Sequence, residues 1–193
     1  MTTEHQPDIG DDPRLAIEDE LLAIRCQLGE PGAMDALVER WHQPLWRYVR
    51  GLAADEDAAA EAVQDVWLRV LRAMPGLRDP ARLRAWLFGI ARRVMMDRLR
   101  QAYTELERAE VDLADLAGPD DSLDRAEELA LMRDVLARMP IIEREALVLF
   151  YLKELSLAEM ADVLAVPTGT VKSRLFRARR MMRHELTKKG VHS

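Results

Sequence analysis

The spacing of apolar residues constrains this chain more than any other feature, because it follows the period of the α-helix. Between residues 63 and 74, apolar side chains recur three, four, seven, eight and eleven positions after the first. This spacing places them on one face of a helix. The stripe consists of Val63, Val66, Trp67, Val70, Leu71 and Met74. No segment alternates apolar and polar residues as a half-buried strand does, so the pattern predicts an all-α protein.

Breaks in the helical pattern predict four helices in the first half of the chain. Two are expected over 18–28 and 33–53, separated by the Gly-Glu-Pro-Gly run at 29–32, which contains strong helix breakers. The third carries the stripe described above, and Asp55 or Asp57 could cap its start. The fourth begins after Asp79-Pro80. Its apolar face consists of Leu83, Leu87, Ile90 and Val94.

An acidic segment separates these helices from a second helical group. Residues 109–121, AEVDLADLAGPDD, contain Gly-Pro and no sustained apolar period, which predicts a linker. Further helices are expected over 122–139, 143–153, 156–164 and 168–188. The predicted fold is therefore all-α, with two small helical domains at 14–108 and 122–193 joined by an acidic linker. Residues 1–13 are acidic and are expected to be disordered.

Charge is distributed unevenly along the chain. The formal net charge is -6, yet residues 69–100 and 166–193 each carry +7, while residues 101–128 carry -8. Two basic regions separated by an acidic one suit a protein that contacts one polyanion at two places. The alternative is a set of basic helix faces that are only solvated.

Several classes of protein are disfavoured by the composition. A single cysteine, Cys26, excludes an internal disulfide and a multi-cysteine zinc site, and the four histidines lack metal-binding spacing. No clustered nucleophile, general base or phosphate-cradling glycine loop is present, so we expect neither an enzyme nor a bound metal or cofactor. The longest apolar runs reach seven residues, far below the roughly 18 of a membrane span. With an acidic N-terminus unlike a signal peptide, we expect a cytoplasmic protein without membrane insertion.

Residues 155–182 carry the pattern of a helix-turn-helix. Ser156 and Glu159 have the spacing of a capping box at the start of a short helix, and a turn at 165–167 leads into a second helix. The apolar stripe of that helix is Val171, Leu175, Ala178 and Met182, and its outer face is rich in Lys and Arg, which bind phosphates and guanine edges. One alternative is a helical hairpin with a basic face that is only solvated. A membrane-surface helix is less favoured, because it would need the apolar stripe that the domain core uses. The order of these parts favours DNA recognition.

Three stretches resemble one family, the extracytoplasmic-function (ECF) sigma factors, which are small sigma-70 subunits of bacterial RNA polymerase. GTVKSRLFRAR resembles the recognition helix of their region 4, and EAVQDVWLRVLR, at 61–72, resembles the region 2 helix that docks on the polymerase clamp. LRAWLFGIARRVMMDRLR, at 83–100, resembles the helix that engages the -10 promoter element. The resemblance covers about residues 15–188 and implies that the chain binds core RNA polymerase and directs transcription initiation, with region 2 melting the -10 element and region 4 reading the -35 element. It also implies an anti-sigma factor as a partner.

The resemblance implies three sets of site residues. The polymerase-binding set is Gln64, Asp65, Leu68 and Arg69. The -10 set is Arg78, Trp86, Arg92, Arg93, Asp97 and Arg98. The -35 set is Thr170, Lys172, Ser173, Arg174, Phe176, Arg177, Arg179 and Arg180.

Some of these positions have a second interpretation. Gln64 and Asp65 could belong to a solvated polar face, and Trp86 could stack on an unpaired base, although its spacing favours a place in the core. Phe150 is expected to pack the domain. The acidic linker could imitate nucleic acid in the polymerase cleft or act only as a tether. The rival function is a stand-alone helix-turn-helix regulator, which accounts for residues 156–183 only.

Overall fold

The computed structural model describes residues 13–109, 134–152 and 154–188, and this part of the chain contains helices and no strand. The α-helices are α1 Pro13–Gln27, α2 Ala33–Leu52, α3 Glu56–Ala73, α4 Leu83–Ala109, α5 Ile141–Leu152, α6 Leu157–Leu164 and α7 Thr168–Lys188. Short 3-10 turns at Met74–Gly76 and Pro80–Arg82 precede α4. The all-α prediction is confirmed. No helix among the described residues is long and apolar enough to cross a bilayer.

Several expectations concern residues that lie largely outside the described ranges. These are the disordered tail at 1–13, the linker at 109–121 and most of the helix at 122–139. The boundary residues differ from expectation, because Pro13 begins α1 and Ala109 ends α4. Proline is well suited to a first helical position, where its missing N–H costs no hydrogen bond. The final turns of α4 consist mainly of good helix formers, so the helix continues past its apolar face.

The first four helices pack around a core built from the predicted apolar faces. Tyr48 and Phe88 are completely buried, and their rings meet edge to face with centroids 5.6 Å apart. The start of α3 is fixed by Asp55, whose side chain accepts a hydrogen bond from the Ala58 N–H at 2.7 Å. A buried ion pair of 2.5 Å between Asp19 and Arg84 joins α1 to α4. Within this core, α3 also packs directly against α4.

The last two helices form the predicted helix-turn-helix. Ser156 and Glu159 make both hydrogen bonds of a capping box at the start of α6. The residue that follows α6, Ala165, caps the helix in the left-handed conformation with φ of 53°. This residue turns the chain so that α7 packs across α5 and α6, with Val171 and Leu175 buried. The outer face of α7 is thereby directed to solvent.

The two helical groups also pack against each other. α5 lies on α2 and α6 lies on α4, and one continuous hydrophobic cluster contains buried residues of both groups. Gly51 allows the close approach of α2 to α5, because a Cβ at this position would lie 2.8 Å from a methyl carbon of Val148. Periodicity alone did not predict this arrangement.

Candidate polymerase and promoter interfaces

A groove of about 520 Å³ lies between α2 and α3. Its lining is mainly apolar, and Leu68 and Leu71 expose 48% and 50% of their surface there. Trp67 donates a hydrogen bond from Nε1 to Nδ1 of His42 at 3.2 Å, and the two rings stack on each other. The complete lining is His42, Trp46, Ala60, Val63, Gln64, Trp67, Leu68 and Leu71. Large exposed apolar side chains around a groove are typical of a surface that binds another protein.

The predicted polymerase-binding residues lie in or beside this groove. Gln64 and Leu68 line it, whereas Asp65 and Arg69 project toward α4. Asp65 accepts a hydrogen bond from Arg98 at 2.6 Å, and Arg69 forms a 3.2 Å ion pair with Asp97. Hydrogen bonding to Asp65 is the main cause that raises the pKa of Arg98. These ion pairs therefore join the predicted polymerase-binding set to the predicted -10 set.

Of the other members of the -10 set, Arg78 precedes α4, whereas Trp86, Arg92 and Arg93 lie on it. Arg78 is exposed in a loop held by Gln27, which donates from Nε2 to the Leu77 carbonyl at 2.6 Å. Trp86 is half-buried and packs against the hydrophobic core, as its spacing favoured. Arg93 is exposed. The exposed Arg78 and Arg93 thus lie just before and on α4, which packs against α3.

Arg92 is engaged in a contact that the sequence did not predict. Its Nε donates to Glu145 of α5 at 3.0 Å, and the same carboxylate oxygen accepts a hydrogen bond from the Tyr48 hydroxyl at 2.9 Å. Glu145 is only 2% exposed. Burial raises the pKa of its carboxyl, and the charge of Arg92 opposes that rise. Burial also raises the pKa of Tyr48 well above its ordinary value, so its hydroxyl remains a donor.

The predicted -35 set lies along α7. Lys172, Ser173, Phe176 and Arg180 are exposed on its outer face. Other members contact the domain itself. Arg177 donates from Nε to Glu143 at 3.1 Å, and the guanidinium of Arg179 lies 4.5 Å from the ring centroid of Phe150. Phe150 packs against the core, as expected. The helix thus presents a mixed cationic and aromatic surface of the width that enters a major groove.

The sequence did not predict two contacts between distant residues, His42 with Trp67 and Tyr48 with Glu145. His42 is 25 positions from Trp67, and Glu145 is 97 positions from Tyr48, so no local spacing could have paired them. A Glu inside the apolar run of α5 was the available signal, because buried carboxylates require partners. Among the described residues, no group of three or more His, Cys, Asp or Glu could hold a metal ion.

Two family models and a characterised relative share this pattern. Residues 37–104 match the Sigma-70 region 2 family model, and residues 129–182 match the Sigma-70, region 4 model. The ECF RNA polymerase sigma factor SigL of Mycobacterium tuberculosis is 34% identical over 168 residues, which cover 84% of this chain and 93% of that protein.

Two solved structures have a similar fold. CnrH, solved in complex with the cytosolic domain of CnrY, has a TM-score of 0.66 at 28% identity and covers 88% of this chain and 97% of its own. The sigma factor RpoE, solved with the anti-sigma factor NepR from Bartonella quintana, has a TM-score of 0.69 at 24% identity, with 81% and 98% covered.

The region 2 match accounts for residues that the rival interpretation, a stand-alone regulator, left unexplained. Both matches fall in the expected order, and they enclose the groove, the -10 set and the -35 set. The chain therefore belongs to the ECF RNA polymerase sigma factors of the sigma-70 family.

Proposed function

We propose that this chain binds core RNA polymerase through the groove between α2 and α3, and positions α4 at the -10 element and α7 at the -35 element. The observation that supports this division of roles is the separation of the surfaces. The apolar groove has the character of a protein interface, whereas the outer faces of α4 and α7 carry the exposed cations. The chain itself performs no covalent chemistry and acts in the cytoplasm with the polymerase.

The role of the groove in polymerase binding is tested by placing a charged side chain at one apolar position. Leu68→Glu places a charge in the apolar lining and should reduce recovery of core polymerase in a pull-down by about tenfold, equivalent to about 1.4 kcal/mol. Leu28→Glu is the matched control, because Leu28 is an exposed leucine outside the groove lining. Equal recovery with both variants would remove the groove from the interface.

The role of α7 is tested with Arg177→Ala in transcription from a matched promoter with core polymerase. A bidentate contact from an arginine to a guanine contributes about 1–3 kcal/mol to discrimination. The variant should therefore lose the distinction between the natural -35 sequence and its point mutants. If all -35 sequences weaken equally, Arg177 binds phosphate and reads no base.

The partner set also includes an anti-sigma factor. RpoE, a similar fold, was solved with the anti-sigma factor NepR. Co-purification of the chain from cells that produce it, followed by identification of bound proteins, tests this part. A partner that blocks recovery of core polymerase is the expected result, whereas partners that leave this recovery unchanged would contradict it.

A further inference from the structure

An ion pair joins α7 to α5 inside region 4, which holds α5 to α7. Nε of Arg177 donates a hydrogen bond to Oε1 of Glu143 at 3.1 Å. The side chain of Glu143 is 12% exposed, whereas that of Arg177 is 47% exposed. The domain therefore encloses most of the carboxylate and leaves about half of the arginine at the surface.

The contact uses one particular nitrogen of the guanidinium. Arginine carries N–H groups on Nε and on both Nη atoms, fixed in one plane. Glu143 engages Nε, and the Nη atoms of Arg177 make no hydrogen bond within the described part of the chain. The two Nη groups can together reach O6 and N7 of a guanine, which is the bidentate contact that reads this base. Glu143 thus occupies the one donor that an end-on contact with guanine does not need.

The cations of α7 differ in how they are held. Arg179 also lies against α5, with its guanidinium 4.5 Å from the ring centroid of Phe150. Lys172 and Arg180 are exposed, and neither forms an ion pair with another described residue. A phosphate can be contacted by a flexible cation, but reading a base requires a side chain that is held in place. The restraint on Arg177 therefore suits a base contact.

A carboxylate beside a DNA-binding arginine also has a cost. Its negative charge repels the phosphate backbone, and this repulsion lowers the affinity for every DNA sequence. Restraint of the arginine acts in the opposite direction, because a side chain that is already ordered loses less entropy on binding, an effect of about twofold to tenfold in affinity. That gain is realised only where a guanine lies within reach of the held guanidinium. Glu143 should therefore lower affinity for all sequences and raise discrimination between them.

We propose that Glu143 is a positioning residue for -35 recognition, which holds Arg177 by Nε and presents its two Nη groups to one guanine. Glu143 acts through the arginine and contacts no base, since its own side chain is largely enclosed. This inference rests on the proposed function, because it takes Arg177 as a base-reading residue. It adds that the matched -35 element contains a guanine whose O6 and N7 accept from Arg177.

Two substitutions of Glu143 separate position from charge. Glu143→Gln removes the charge but keeps an oxygen that can accept from Nε, whereas Glu143→Ala removes both. Transcription with core polymerase is measured from the matched promoter and from promoters in which each -35 guanine is changed in turn to adenine. Changing the guanine that Arg177 reads should reduce initiation about tenfold for the wild type and for Glu143→Gln. The same change should reduce initiation only about twofold for Glu143→Ala, because its arginine is no longer held.

An altered base tests the contact at the level of one atom. 7-Deazaguanine at the same position lacks only the N7 acceptor, so it should reduce initiation by the wild type and by Glu143→Gln. It should leave initiation by Glu143→Ala nearly unchanged. In Arg177→Ala, adding Glu143→Ala should cause no further loss of discrimination, because a positioning residue acts only through the residue that it holds.

The control is Glu185→Ala, which removes another carboxylate of region 4. Glu185 pairs with Lys188 at 3.3 Å, outside the -35 set, so this variant should discriminate as the wild type does. Discrimination is a ratio between two promoters for one protein, so a partial loss of folded protein cancels from it. Partly exposed ion pairs contribute little to stability, and region 4 should fold in all of these variants.

The outcomes separate this inference from the proposed function. Wild-type discrimination in Glu143→Ala, equal loss in Glu143→Gln and Glu143→Ala, or a matched -35 element without guanine would each overturn the positioning role. If Arg177→Ala loses discrimination while Glu143→Ala keeps it, only this inference fails. If Arg177→Ala itself keeps full discrimination, Arg177 reads no base, and the proposed reading of the -35 element by this residue fails as well.

Discussion

The carboxylate of Glu145 joins three helices, because it lies on α5 and contacts Tyr48 of α2 and Arg92 of α4. It is buried, it accepts hydrogen bonds from Tyr48 and Arg92, and it belongs to a different region from both. A buried carboxylate is costly unless its lone pairs are satisfied by donors. The two donors therefore stabilise the packing of α5 against α2 and α4.

Replacement of Tyr48 by Phe removes one of these donors without changing the size of the ring. We expect the free energy of unfolding to fall by about 1–2 kcal/mol, because a buried hydrogen bond to a charged acceptor is lost. Chemical denaturation measures the change. Tyr103→Phe is the control, since Tyr103 is exposed, and a similar loss in both variants would exclude a special role for Tyr48.

The raised pKa of Glu145 also predicts a dependence of stability on pH. Burial raises this pKa above the ordinary value of 4.5, and Tyr48, Arg92 and Arg174 are the titratable or charged groups that face the carboxyl. A raised carboxyl pKa means that the folded chain holds the proton more tightly than the unfolded chain. The stability that this group contributes is therefore fully present below pH 4.5 and is lost as the pH rises through the raised pKa.

Denaturation of wild type and Glu145→Gln across pH 4.5 to 7 checks this sign. The variant has no proton to lose at this position, so the stability of wild type relative to the variant should decrease as the pH rises. A constant difference between the two proteins, or one that increases with pH, would contradict the prediction.

At the scale of the elements, the start of a helix is specified by residues close together in the chain. The face that a helix buries depends on residues that are distant in the chain. The capping box of α6 was evident from two residues three positions apart, and the structure contains both of its hydrogen bonds. By contrast, α1 is apolar on both sides. It buries Leu22 and Cys26 but exposes Ile17 and Leu21, and periodicity could not decide which side packs.

The capping box predicts a measurable contribution from one hydroxyl. Ser156→Ala should reduce the free energy of unfolding by about 1 kcal/mol, because the first turn of α6 loses the acceptor for one of its free N–H groups. The control is Ser173→Ala on the exposed face of α7, where a surface substitution should change stability by less than about 0.5 kcal/mol. Thermal or chemical denaturation of both variants distinguishes the two expectations.

At the scale of the whole molecule, a single glycine determines how closely the two regions can approach. Any side chain at position 51 meets Val148, because a Cβ there would lie 2.8 Å from a methyl carbon. A separation this short requires the Val148 side chain or one of the two helices to shift, since packed interiors leave little free space. The contact between the regions is thus sensitive to a single methyl group.

Gly51→Ala should therefore loosen the packing of α5 on α2, and a second change should restore it. Val148→Ala removes both methyl groups that would clash, so the double variant is expected to pack as the wild type does. Amide hydrogen exchange in α5 measures this packing. If α5 exchanges as fast in the double variant as in Gly51→Ala, steric contact at this position does not control the packing.

The sequence by itself determined the helices, the helix-turn-helix, the two basic regions and the family, because each depends on residues that are close together in the chain. Periodicity, capping and turn residues act over a few positions, so a single pass along the chain detects them. The tertiary structure decided which faces meet: Tyr48 with Glu145 across 97 positions, Arg82 with Asp162 across 80, and Gly51 with Val148. Those contacts depend on shape and charge in three dimensions, and no local pattern specifies them.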